Sequence, residues 1–129
     1  MMVKFKDDSS RLQDEFKTKI DLRLQFLLLE LAAFIWDRWQ KQTTITCLLR
    51  TPTENDALPG SNPQSAHIRG DAADLRTHNY TNIEVDEIVK YVKHHWGEVV
   101  HCIFHNPGGN APHIHININW PFSTKNFKV

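Results

Sequence analysis

The sequence predicts an α+β fold, with helices packed on one face of a small antiparallel sheet. Two observations predict this. Helical periodicity fills two long stretches, about residues 20–41 and 82–96, while runs rich in β-branched and apolar residues fill 43–49, 98–105 and 112–120. The last two runs flank a turn-forming Asn106-Pro107-Gly108-Gly109-Asn110 and read as an antiparallel hairpin. The order is therefore helix, strand, loop, helix, hairpin.

Residues 1–8 form a loose or edge-forming lead-in. Ser10-Arg11-Leu12-Gln13 has the spacing of a capping box, with Leu12 and Phe16 forming one apolar turn behind it. From Ile20 to Lys41 the pattern is clearer. Leu24, Leu27, Leu28, Leu31, Ile35 and Trp39 fall on one helical face. Leu22, Phe26, Leu29 and Trp36 widen the stripe, which predicts a helix buried on more than one side. Thr43 to Leu49 reads as a strand ending at Arg50. Residues 51–64 hold three prolines and a glycine and read as a loop. A loop of that length in a small domain is usually functional. Ser65 to Leu75 reads as two short extended pieces turning at Gly70. Thr81-Asn82-Ile83-Glu84 is a capping box, and the helix it opens runs to Trp96, with Gly97 as its stop. Its buried face is Val85, Ile88, Val89, Val92 and Trp96.

With 129 residues, one domain is expected, large enough to bury a core without disulfide staples. Lys+Arg and Asp+Glu are both 15, so a broad basic surface for nucleic acid is not expected. Cys47 and Cys102 lie in apolar, strand-like runs and read as buried free thiols. No secretory signal is visible, and the most apolar run, 26–36, is too short to span a bilayer. These features predict a soluble monomer made in the cytoplasm. The eight histidines are many for this length and raise the expectation of a metal site.

Chemistry-bearing residues gather in two places. In 113–120 the alternation is strict: His113, His115, Asn117 and Asn119 share one face, and Ile114, Ile116, Ile118 and Trp120 the other. The isoleucine face must pack on the core, so the histidine face opens to a cleft or to solvent. His67 and Asp74 stand seven residues apart, with Gly70 between them to turn the chain. Any three of His67, Asp74, His113 and His115 suffice to hold one zinc ion, leaving the fourth for chemistry. Taken singly, each has a plainer reading: a core or surface histidine, a helix cap, a polar strand face. His94-His95 is explained by the helix dipole alone, and His101 and His105 read as surface residues.

Together these residues resemble a known family. Ser65-x-His67-x-x-Gly70-x-Ala72-x-Asp74, followed by His113-x-His115, is similar to the motif pair of the zinc D-alanyl-D-alanine carboxypeptidases, a group that includes vancomycin-resistance dipeptidases and small phage endolysins. The resemblance spans roughly residues 20–120. It implies that His67, Asp74 and His115 bind one zinc ion, and that His113 stays unligated beside it as the acid–base group. It implies further that Arg50 polarises the scissile carbonyl and that Ser65 lines the site. Arg69, like Arg50, is a candidate for holding a substrate carboxylate through a bidentate contact.

Two positions depart from the pattern. Some members place a glutamate base three residues before the last zinc ligand, where this chain has Pro112. Others carry a further histidine three residues before His-x-His, where this chain has Asn110; His105 across the turn is a substitute. The implied function is a zinc metallopeptidase acting on peptidoglycan stem peptides or another D-Ala-containing peptide. An endolysin and a D,D-carboxypeptidase or dipeptidase are the enzyme readings. A zinc-stabilised binding or virion-associated module without catalysis is the alternative, kept open by Pro112.

Overall fold

The computed structural model describes residues 2–106 and 111–126. Its elements are β1 (Val3–Phe5), α1 (Ser10–Thr18), α2 (Leu22–Trp39), β2 (Thr43–Cys47), α3 (Pro52–Asp56), α4 (Ala66–Arg69), β3 (Ala72–Arg76), α5 (Asn82–Trp96), β4 (Val100–His105) and β5 (His113–Ile118). The strands form one sheet in the order β1-β2-β3-β5-β4. The α+β class holds, and every pairing is antiparallel except one. β1 runs parallel to β2 because α1 and α2 carry the chain back between them, as a parallel pair requires. The sheet is therefore mixed.

The core lies between the sheet and the helices. Leu24, Leu27, Leu28, Leu31 and Ile35 of α2, with Val85, Ile88 and Val92 of α5, cluster with Ile45, Leu75, Ile114, Ile116 and Ile118 of the strands. The alternation of β5 is realised, with its three isoleucines fully buried and the residues between them half-buried. Ile116 sits mid-strand between β3 and β4. Ile116→Ala should cost about 2–5 kcal/mol in a denaturant unfolding curve, because the surroundings relax only partly into the cavity.

Several expectations are corrected. Leu22, Phe26, Leu29 and Trp36 are 39–58% exposed, so α2 is buried on one side only. The sheet covers one face of α2, and no described layer covers the other. Trp120 leaves the isoleucine face: it starts a 3-10 turn, Trp120–Phe122, and is exposed. Ser9, one residue earlier than expected, caps α1 by accepting a hydrogen bond from the Leu12 amide. The loop after β2 contains α3, opened by a capping box of Thr51 and Glu54. The first part of 65–75 is the short helix α4 rather than an extended piece. Ser65 caps it, and Gly70 ends it at φ 79°. A side chain at Gly70 would meet Leu49 and Lys125 at 3.0 Å and the Lys19 carbonyl at 3.1 Å. The expected turn at 106–110 lies largely outside the described residues.

Both cysteines are free; Cys102 is buried and Cys47 half-buried. Burial pushes the Cys102 thiol up to about 12. None of the described helices is long and apolar enough to cross a membrane.

Candidate metal centre

The sheet face opposite the core carries the polar cluster. In register, Cys47 of β2 stands opposite Asp74 of β3, and Asp74 stands opposite His115 of β5. Their side chains form one row across three neighbouring strands. α4 lays His67 over this row. The Arg50 amide donates to the His67 carbonyl at 3.1 Å, and the His67 ring reaches the Leu48 carbonyl at 2.7 Å, so α4 is fastened to the end of β2 at two points.

Asp74 Oδ1 is the point of convergence. It lies 3.2 Å from His67 Nε2, 3.1 Å from His115 Nδ1 and 3.7 Å from His113 Nε2. The His67 and His115 rings are 5.3 Å apart, centroid to centroid. Each of these two imidazoles has its other nitrogen engaged by an acceptor. His67 Nδ1 donates to the Leu48 carbonyl, and His115 Nε2 donates to Asn117 Oδ1 at 3.0 Å. That leaves His67 Nε2 and His115 Nδ1 directed at the carboxylate, as proton donors in the metal-free cluster and as the nitrogens that would coordinate once a metal displaces those protons. Metal-binding histidines are oriented by this kind of outer contact. The donor set therefore fits a divalent ion of zinc type: two imidazole nitrogens, deprotonated on binding, and a carboxylate, partly open to solvent. Asn117→Ala should weaken zinc affinity about 10–100-fold, read by competition with a chromophoric chelator.

The electrostatics of the metal-free cluster agree. Burial works against a charged His67, but Asp74 and, more weakly, Cys47 outweigh it and push its pKa up to about 10. Burial also raises the Asp74 carboxyl, yet hydrogen bonds from His115 and His67 hold it well below the usual carboxylate range. The pair therefore contributes its full stability between the ordinary carboxylate and imidazole ranges. That contribution fades as pH falls through the depressed Asp74 value and as it rises through about 10. Metal binding requires the proton on His67 Nε2 to leave.

An open cleft of about 670 Å³ runs over the cluster. His67, Asp74, His113, His115, Arg50 and Ser65 all line it. His113 Nδ1 donates to the Ala111 carbonyl at 3.2 Å, which leaves Nε2 as the acceptor on the Asp74 side. Arg50 Nη1 donates to Asn55 Oδ1 at 3.0 Å, and buried Asn55 is itself anchored on the Asn62 carbonyl at 2.8 Å. Arg11 ties α3 to α1 through Glu54 at 2.8 Å, so the loop that carries Arg50 is braced. His105, exposed as expected, also lines the cleft, with its ring 5.1 Å from that of His113.

Arg69 is not among these groups. Its guanidinium donates to buried Asp71 at 2.8 Å and lies 5.1 Å over the Trp120 ring. Asp71 in turn accepts from Ser123, which joins Asp21 at the start of α2. Arg69 thus fastens the chain after β5 instead of facing the cleft. Sequence reasoning missed Cys47, Asn55 and Asn117. Asn117 was accessible, since it alternates in phase with His113 and His115. Asn55 follows the capping box at Thr51, which a string of prolines and polar residues disguises as irregular loop.

An α+β sheet whose polar face gathers two oriented imidazoles and a carboxylate beneath an open cleft defines a candidate metallohydrolase. The model of the Peptidase M15 family matches residues 8–117, and the chain belongs to that family, the zinc D-alanyl-D-alanine carboxypeptidase family that its motifs resemble. It is accordingly a peptidase by family. No curated protein and no solved structure matches it significantly.

Proposed function

We propose that this chain is a zinc-dependent peptidase that hydrolyses a peptide bond in bacterial peptidoglycan stem peptides or cross-links, acting as a phage-type endolysin or a D,D-carboxypeptidase. The observation that supports this best is the convergence of His67 Nε2, His115 Nδ1 and Asp74 Oδ1, with the far nitrogen of each imidazole held by an oxygen acceptor.

His67, Asp74 and His115 would hold the ion. Bound zinc supplies Lewis acidity, polarising a carbonyl and bringing the pKa of water to about 7. The other steps belong to the chain's own residues. His113, with Nδ1 committed to Ala111, accepts the proton of the attacking water at Nε2 and returns it to the leaving amine. This gives the acid–base role to an imidazole where Pro112 excludes a glutamate. Arg50, positioned by Asn55, stabilises the charge developing on the substrate carbonyl oxygen. Ser65 lines the cleft and caps α4; its Oγ accepts from the His67 amide at 3.3 Å, which helps to orient His67. The substrate peptide lies along the cleft between the loop of Leu58 to Asn62 and the edge strand at Ile103 and His105.

The test is turnover. Zinc-loaded protein incubated with purified peptidoglycan and with soluble muropeptides should release new amino groups, and mass spectrometry identifies the bond. Free D-alanine indicates a carboxypeptidase, and fragments cut within the stem or cross-link indicate an endolysin. Absence of any hydrolysis by zinc-loaded protein, unchanged in His113→Ala, would overturn the enzyme reading in favour of a binding module.

A further inference from the structure

The polar face of the sheet carries a second row beside the metal row. Arg76 of β3 stands opposite His113 of β5, and His113 stands opposite His105 of β4. Arg76 follows Asp74 by two residues on one strand, so both project from the same face, with Cα atoms about 6.5–7 Å apart. Arg76 also lines a concavity of about 480 Å³ with Lys4 of β1 and Thr44 of β2, the strands on its other side. His78 lines it too, and no carboxylate does among the described residues, so its field favours an anion. Arg11, Arg23, Arg38, Arg50 and Arg69 each donate to an acceptor of the protein. Arg76 is half-buried and has no acceptor among the described residues. It holds a charged, five-donor fork with nothing in the fold to use it.

We infer that Arg76 is the residue that selects the substrate: its guanidinium receives, through a bidentate contact, a free carboxylate on the carbon that bears the leaving amine. This rests on the peptidase reading, in which His113 returns a proton to that amine. His113 and Arg76 share a row one step along the strands from Asp74 and His115. A carboxylate attached beside the amine that His113 protonates is therefore on the Arg76 side of the metal centre. The other arginines near the site are committed elsewhere. Asn55 holds Arg50 at the cleft, where it meets the carbonyl oxygen, and buried Asp71 holds Arg69. Lys4 and His78 add longer-range attraction for the same anion. A C-terminal residue meets the requirement. A residue that is amidated or extended at its carboxyl does not, because it leaves the half-buried guanidinium without an acceptor.

A matched pair of substrates tests this: an N-acylated stem peptide ending in D-Ala-D-Ala, as the free acid and as the C-terminal amide. Zinc-loaded wild type should cleave the acid with a kcat/KM about 10–100-fold above that of the amide. Arg76→Gln should lower kcat/KM for the acid by a similar factor, mostly through KM, leave the amide unchanged and retain its zinc. Arg76→Lys keeps the charge without the fork and should fall between the two; it carries the comparison if Arg76→Gln does not fold. Equal rates on acid and amide in the wild type, or an equal loss on both in the zinc-loaded variants, would overturn the role of Arg76 and leave the peptidase reading standing. Where neither peptide is cut, turnover of whole peptidoglycan decides the peptidase reading, and calorimetric binding of the same two peptides decides Arg76. Tighter binding of the acid that disappears in Arg76→Gln supports the inference, and wild-type binding that does not distinguish them overturns it.

Discussion

Asp74→Ala should abolish stoichiometric zinc binding and, with it, peptidase turnover. Asp74 Oδ1 is within 3.7 Å of the ring nitrogens of three histidines, and no other carboxylate is among the described residues that line the cleft. The substitution also acts before metal arrives. In the metal-free protein Asp74 holds His67 protonated against the cost of burial. Removing one member of a buried charged pair leaves the other uncompensated, at a cost of about 3–5 kcal/mol where the charge cannot escape. His67 escapes by losing its proton, which lowers the penalty at neutral pH and exposes it at acid pH. The metal-free variant should therefore show its largest loss of melting temperature below the ordinary imidazole range. Metal content by elemental analysis, with melting curves taken between pH 5 and pH 8, checks both parts. Retention of one zinc per chain in Asp74→Ala would remove Asp74 from the ligand set.

What the sequence revealed and what it concealed follow one physical division. Strictly local signals were readable. The alternation from His113 to Trp120 assigned one face to the core through Ile118, and Thr81 with Glu84 marked the start of α5. The alternation failed only at Trp120, where Pro121 ends the extended conformation and the ring turns to Arg69. Contacts between distant segments were not readable. Cys47 looked like a core thiol because Ile45 and Leu48 flank it, yet the register shift between Ile45 and Cys47 turns it toward Asp74. Arg50 and Arg69 were equivalent candidates by composition. A buried carboxylate two residues away claims Arg69, while Asn55 holds Arg50 at the cleft. The exposed stripe of α2 shows the same limit from the other side: an apolar periodicity says that a helix is amphipathic, and only the tertiary layers decide which residues are covered.

His113→Ala should lower kcat by about 10²–10⁴ while leaving zinc content unchanged. His113 and His115 sit two residues apart on the same strand face and are chemically identical, so their separate roles must come from surroundings. His115 Nδ1 is 3.1 Å from Asp74 Oδ1 and is backed by Asn117. His113 is further out, at 3.7 Å, and is backed by the carbonyl of Ala111 beside the cleft mouth. A ligand needs the first arrangement; a proton carrier needs reach into the cleft and freedom from the ion, which the second supplies. His115→Ala should consequently lose zinc and turnover together, whereas His113→Ala loses turnover alone. Added imidazole should partly restore His113→Ala, because the vacated site still faces the cleft, and should do nothing for His115→Ala. The His105 ring is 5.1 Å from that of His113; if it supplies residual acid–base activity, the double variant His105→Ala/His113→Ala should fall below the single one. The decisive comparison is metal stoichiometry across the two single variants. If His113→Ala loses its zinc and His115→Ala keeps it, the two histidines exchange roles and the proton carrier is His115.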